Sequence, residues 1–549
     1  MAGVAPRRNS EGVPRRNNRR RSRGERGWHG VGDTRPWRWT AGASFEEREG
    51  AAAEPLGSGY VRREPEKTVL YQLVCAHLET MLAEVRDEDE EGNGLPWFVE
   101  RELRRYLDCG ILARGFMRLV CEACGKELVV GFSCKGRGFC PSCVARRMDD
   151  TAAYLVDCAL PVAPYRHWVL SLPFRLRLRL ARSEELLGRV RRVFVAQVGA
   201  WQRREARKLG LGDVETGAVC VTQRFGSRLD CNPHFHALMP DAVFAENAEG
   251  RVELRRLAGP KQEDIEWLVE RIARRALAAL EDGEEGEAPG ALDRLRAQSQ
   301  QLGLPAMPPR DGGRLEARCE GFSLQAATHL HANDRKGLER TCRYALRPPV
   351  ALNRLSETES GNVVLQLKRR MSNGARSIEL APEVLLRRLA ALVPRPRVHQ
   401  IAYFGAFASH AAIRGRVVPR RPRRTSWCTE PPDEPEGQLE LPLPEPVVAR
   451  LDLMTSGAEV IKAPCPRERT LRWADLLRRT FDTDVLHCEC GGRRRVVAFV
   501  EDLEEAAQLL ARLGVPSEVP VVARARAPPQ RELFERLPGF TADTIYPDN

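Results

Sequence analysis

The residues best suited to chemistry are two histidines separated by a single residue, in Asn232-Pro233-His234-Phe235-His236-Ala237-Leu238. The run reads as a β-strand, whose side chains alternate faces. His234 and His236 therefore point one way and Phe235 the other. Two imidazoles on one face make half of a divalent-metal site. About a hundred residues on, Lys336, Arg340, Tyr344 and Arg347 recur at spacings of four, four and three, which puts them on one face of a helix. A phenol in a basic stripe is suited to meeting a phosphate. Taken singly, each feature also has an ordinary reading: hydrogen-bonded strand histidines, and an amphipathic tyrosine beside solvated charges.

Cysteine spacing suggests a second kind of chemistry. Cys121-x-x-Cys124 and Cys140-x-x-Cys143 each offer two thiolates from a tight knuckle, and two knuckles complete a tetrahedral zinc site. Between them lie β-type residues (Leu128-Val129-Val130-Gly131-Phe132) and a Gly-rich turn, Lys135-Gly136-Arg137-Gly138, as in a zinc ribbon. The expected ligands of a closed, structural zinc are thus Cys121, Cys124, Cys140 and Cys143. Cys134 is a fifth candidate that could displace one of them, and Cys109 reads as a core residue. Lys135, Arg137, Arg146 and Arg147 are expected to touch backbone phosphates, as is Lys336 from the tyrosine helix.

These residues need elements to position them. Helical spacing marks 68–107, with an acidic break at 87–94. A strand is expected at 166–172, a basic amphipathic helix at 184–208 and a strand at 217–225. A turn through 226–232 leads into the histidine strand, so the histidines sit on one arm of an antiparallel hairpin. A helix over 262–281 and a weak strand near 318–324 follow. Asn333 or Asp334 caps the tyrosine helix, which Pro348-Pro349 ends. A hairpin turns at Ser372-Asn373-Gly374, and a helix starts at Pro382.

Six segments result: a basic arm at 1–65 that reads as disordered, a helical and Cys₄ zinc-binding unit at 66–160, a catalytic domain at 161–418, a Pro-rich linker at 419–460, a small unit at 461–515 and a loose tail at 516–549. At 549 residues and 42% hydrophobic, the chain can bury a sizeable core. It has no apolar run of about 18 residues, so no membrane span is expected. The arm is Arg-rich but has no apolar segment behind it, unlike a secretory signal. A cytoplasmic protein follows, in which sixteen cysteines are thiols or metal ligands rather than disulfides. A net charge of +12 fits a nucleic-acid partner, although a GC-rich coding sequence raises arginine content in the same way.

Several stretches together resemble one family, the rolling-circle tyrosine transposases of the insertion-sequence-ninety-one type, in the His-hydrophobe-His (HUH) endonuclease superfamily. They are Phe132-Ser133-Cys134-Lys135-x-Arg137-Gly138-Phe139-Cys140-Pro141-Ser142-Cys143-x-x-Arg146-Arg147-Met148; Trp168-Val169-Leu170-Ser171-Leu172-Pro173; Gln223-Arg224-Phe225-Gly226-Ser227 leading to His234-Phe235-His236; Asn333-Asp334-Arg335 through Cys342-Arg343-Tyr344-x-x-Arg347-Pro348-Pro349; and Leu389-Ala390-Ala391-Leu392-Val393-Pro394. The resemblance implies an α+β fold, an HUH-like antiparallel sheet with flanking helices behind a small zinc ribbon. It implies DNA transposition, with Tyr344 as the nucleophile. Some relatives carry a second tyrosine four residues earlier. Arg340 stands there in this chain, which resembles the single-tyrosine branch.

The implied mechanism is single-strand nicking and strand transfer through a 5′-phosphotyrosine at element ends and target. Mg²⁺ or Mn²⁺ on His234 and His236 would assist, and Arg340 or Arg347 would favour the phenolate. Gln325, His329 and His331 are candidates for a third metal ligand. Relatives often carry a C-terminal CxxC knuckle. The Cys488-x-Cys490 spacing here speaks against a second zinc. The expected setting is the bacterial cytoplasm, at the nucleoid. The rival readings are a non-catalytic zinc-ribbon DNA-binding protein, a replication initiator or relaxase (though no GxxxxGK[ST] loop is present), and a metal hydrolase that uses the histidines without a tyrosine.

Overall fold

The computed structural model describes residues 62–281, 289–301, 314–368, 374–418, 477–478 and 484–526. The basic arm up to residue 61, the linker, most of the hairpin tip at 372–374 and most of the tail lie outside the described residues.

The fold is α+β. Its centre is a six-stranded antiparallel sheet. In spatial order the strands are Ile401–Gly405, Gly217–Phe225, Cys231–Pro240, Tyr165–Ser171, Phe322–Leu330 and Glu316–Cys319. The histidine strand is therefore internal, paired on both sides, and the expected hairpin is present with a bulge between Gln223 and Phe225. Trp168, Leu170, Phe235 and Ala237 point to one face. There they pack under the helices Glu184–Lys208 and Gln262–Glu281, through Val190, Phe194, Val198, Leu268 and Ile272. The long helix begins where Ser183 accepts a hydrogen bond from the Leu186 amide at 3.2 Å. Acidic residues fill its first turn and basic ones its last, matching the helix dipole.

The opposite face of the sheet is covered by the helix Arg335–Leu346, which shares a core with the helix Pro141–Tyr154 and with Tyr165, Val219, Leu238 and Phe407. Helices Val69–Asp87, Ala291–Gln301 and Pro382–Ala391 form another core, reinforced by a three-stranded sheet of Leu355–Glu357, Val363–Gln366 and Ser377–Leu380. The N-terminal helices thus share their interior with residues from beyond 290. The division expected at 160 is not a boundary between two cores.

The far end of the chain returns to the N-terminal hairpin. The hairpin Phe116–Cys121 and Glu127–Gly131 takes its third strand from Arg494–Val500, antiparallel to Phe116–Cys121. The helix Leu503–Arg512 then packs on Leu112, Phe116 and Val129. Residues 484–512 are built into the N-terminal module and do not stand as a separate unit. The start of the expected loose tail also lies against the first helix: the Ala523 amide donates to the Cys75 carbonyl at 2.8 Å, and the Arg526 amide to Thr80 Oγ1 at 3.0 Å.

Candidate active site and cysteine groups

The sheet register places His234 opposite Ser171 and Gln223, and His236 opposite Val169 and Val221. As strand alternation requires, both imidazoles leave the face opposite Phe235. Their ring centroids are 4.9 Å apart. Asp334 caps the tyrosine helix by accepting from the Gly337 amide at 2.7 Å. Leu338, Cys342 and Ala345 are its buried side. At its C-terminal end Gln223 Nε2 donates to the Ala345 carbonyl at 3.1 Å, tying the helix to the strand beside the histidines.

Tyr344 is thereby set over the histidine face. Its ring stands edge-on to His236, with centroids 5.7 Å apart and planes at 89°. It keeps 48% of its surface exposed, so a phosphodiester can reach it. The Arg347 guanidinium lies 4.5 Å above the Tyr344 ring and 5.6 Å from that of Phe225. Arg340 and Lys336 are exposed on the helix. Arg343 instead reaches Asp149 at 2.9 Å and Glu339 at 3.1 Å and braces the neighbouring helix.

The structure adds a third imidazole. His167, on the adjacent strand opposite Leu238, stacks on His236 at 5.1 Å, and its Nε2 is 2.9 Å from His236 Nδ1. The third-ligand candidates from sequence, Gln325, His329 and His331, do not include it. The available signal was a polar His167 inside a run otherwise expected to be a buried strand. Of the three candidates, Gln325 sits opposite Val169, two strands from His236, and is exposed. His329 and His331 lie together with Arg166 and Asp241 along a cavity of about 710 Å³ whose lining includes neither His234 nor His236. There His329 Nε2 is 3.6 Å from Asp241, which is itself held by Arg166 at 2.6 Å.

The histidines have the donor chemistry a divalent cation requires. Burial pushes His234 and His167 down to about 4. Burial lowers His236 well below its ordinary value too, helped by the two neighbouring imidazoles. All three are neutral near pH 7, the form that binds metal. His234 Nδ1 meets the Asn232 carbonyl at 2.8 Å, which assigns its proton there and leaves Nε2 with a free lone pair. His236 Nε2 is buried without a hydrogen-bond partner. A buried orphan nitrogen beside a second free one fits a cation and is costly otherwise.

The cysteines are partitioned differently from the expected set. Cys121, Cys124, Cys140 and Cys143 do not meet. Among the described residues two groups of four form instead: Cys109, Cys134, Cys140 and Cys143, all buried, and Cys121, Cys124, Cys488 and Cys490, alternately buried and exposed. In the inner group Sγ atoms lie 3.5–3.7 Å apart. Hydrogen bonds from the three neighbouring thiols hold Cys143 well below the usual thiol range. The partition has a physical cause. Cys109 follows the helix Trp97–Tyr106 closely, and the Gly110 amide donates to the Phe132 carbonyl at 2.7 Å, which brings that turn beside the second knuckle. The first knuckle is carried away at the other end of its own hairpin.

Of the basic residues near the inner group, Lys135 and Arg147 are exposed. Arg137 is partly buried, donating to the Val398 carbonyl at 2.5 Å, and burial lowers the pKa of Arg146. No helix among the described residues is long and apolar enough to cross a membrane.

Two family models match the chain. The model described as “Transposase zinc-binding domain”, of the IS91 type, covers residues 78–172, and the one described as “Putative transposase” covers 217–414. Together they span more than half of the sequence. Searches of curated proteins and of solved structures return no match.

Proposed function

We propose, for a chain that belongs to the IS91-type transposases, that it nicks single-stranded DNA at element ends with Tyr344 and transfers the strand through a 5′-phosphotyrosine. The observation that carries this reading is the half-exposed phenol standing edge-on over His236, on the sheet face the two histidines share. Tyr344 Oη attacks phosphorus and loses its proton. The P–O3′ bond breaks, and the leaving oxygen takes up a proton to become a free 3′-OH. No water is consumed, so the phosphotyrosine linkage can be attacked in turn by a 3′-OH to rejoin strands.

His234 Nε2 and His236 Nε2 would hold Mg²⁺ or Mn²⁺. When bound there, such an ion would supply Lewis-acid polarisation of the scissile phosphate and charge neutralisation. His167 orients His236 by occupying its Nδ1. Arg347 is placed to meet the phosphate's negative charge beside the phenol. Arg340 lies one turn further back on the helix, in reach of the flanking backbone phosphates, as does Lys336 beyond it. The exposed Lys135 and Arg147 would add backbone contacts from the cysteine module, whereas Arg137 and Arg146 are drawn into the protein. The inner cysteine group would carry the structural zinc of the matched zinc-binding domain. The activity belongs in the bacterial cytoplasm, at the nucleoid.

The test is a labelled single-stranded oligonucleotide from an element end, incubated with the protein and Mg²⁺ and run on a denaturing gel. A covalent adduct is expected from the wild type and not from Tyr344→Phe. Equal adduct in the variant would remove Tyr344 as nucleophile. Cleavage without adduct would point to hydrolysis by water. DNA binding with neither would point to a non-catalytic binding protein.

A further inference from the structure

The outer cysteine group lies partly outside both matched segments, because Cys488 and Cys490 come from a region that neither model covers. Its two halves are turns of similar build. In one, Gly125 has φ +70° and its amide donates to the Cys121 carbonyl at 2.9 Å. In the other, Gly491 has φ +83° and its amide donates to the Cys488 carbonyl at 2.9 Å. Both backbones are left-handed there, where glycine is favoured. The turns face each other, with Cys121 Sγ 3.6 Å from Cys490 Sγ and Cys124 Sγ 3.7 Å from Cys488 Sγ. All four sulfurs lie within 4.8 Å of one another. A Zn–S bond of about 2.3 Å gives a tetrahedron with sulfur–sulfur edges of ~3.8 Å, so the spacing is that of a zinc tetrathiolate.

Two further observations mark a built site. A side chain at Gly492 would bring its Cβ within 2.6 Å of Ala123 Cβ and 2.9 Å of Cys121 Sγ, so the close approach of the turns depends on glycine. The Gly492 amide donates to Cys490 Sγ at 3.4 Å, the kind of bond that favours a thiolate ligand.

We infer that Cys121, Cys124, Cys488 and Cys490 bind a second structural zinc ion, which clasps the C-terminal segment to the N-terminal module. Four thiolates take the ion, and the protons of the thiols pass to solvent. The one-residue spacing of Cys488 and Cys490, which in the sequence argues against a second zinc, is accommodated because the strand pairing of Arg494–Val500 with Phe116–Cys121 already sets the two turns face to face.

Zinc content per chain of the full-length protein tests this. Two zinc ions are expected in the wild type, one in Cys488→Ser, and two again in Cys490→His, which restores a tetrahedral donor. Hydrogen exchange over Arg494–Val500 should rise in Cys488→Ser while Tyr165–Ser171 stays protected, which separates loss of the clasp from failure to fold. One zinc ion in the wild type, or an unchanged content in Cys488→Ser, overturns the proposal. The clasp does not depend on the catalytic reading: Tyr344→Phe should keep both ions.

Discussion

The histidine face and the cysteine module both gather side chains of the types that can ligate a metal, but they do so over very different lengths of chain. His167, His234, His236 and Tyr344 come from adjoining strands and the helix laid across them, and strand register alone fixes three of the four. The outer cysteine group joins residues more than 360 positions apart. Where register positions a site, the surrounding sheet carries the fold and the side chains can be specialised for chemistry. Where ligands come from distant segments, the ligands are themselves part of what holds the segments together.

Substitutions should sharpen that contrast, and the largest effect is expected in the module. Cys140→Ser removes a thiol buried among three other sulfurs beneath the N-terminal core. Zinc-linked folding free energies run to about 10–16 kcal/mol in small domains. This variant should lose its inner zinc and cooperative thermal unfolding of the module, as read by calorimetry and metal content.

The sheet should respond to packing. Phe235→Ala empties a fully buried site between the histidines and Phe194 and should cost about 3–5 kcal/mol in denaturant unfolding, with nicking lost in step with stability. His236→Ala should separate the two properties, cutting adduct formation roughly 10²–10³-fold, as removal of a charge-stabilising group does, while the melting temperature changes little. His167→Ala removes the imidazole that holds His236 Nδ1 and should cost roughly 10–100-fold in activity or metal affinity, partly recovered at high Mn²⁺. If His236→Ala instead unfolded the sheet, the contrast between the two regions would fail.

A further effect is in pH. His234 and His167 sit near 4 in the folded chain against about 6.5 when unfolded. The unfolded chain therefore takes up protons first as pH falls. The stability these groups contribute is complete above about pH 6.5 and is lost progressively toward pH 4. Melting of metal-free protein should decline over that window, and less steeply in His167→Ala.

Much of this was legible in sequence because it depends on local periods. A period of two set His234 and His236 apart from Phe235, and the four-four-three spacing put Tyr344 on the same helix face as Arg347. The helices over 184–208 and 262–281 followed from their apolar stripes. Other features depend on which segment pairs with which, and local pattern does not specify that. His167 joins the site because its strand lies next to the histidine strand. Cys121 and Cys124 leave the second knuckle because the third strand of their sheet comes from Arg494–Val500. The spacing between two CxxC motifs identifies zinc ligands but not their partners, since each knuckle is a complete half-site that accepts any other.

That third strand also bears on synthesis. Phe116–Cys121 leaves the ribosome some 370 residues before Arg494–Val500. At about 5–20 residues per second, the delay is roughly twenty to seventy seconds. Through that interval the earlier hairpin presents an unpaired edge, and the six-stranded sheet can close before the first module is complete. The part of the protein that begins the fold is also the part that ends it.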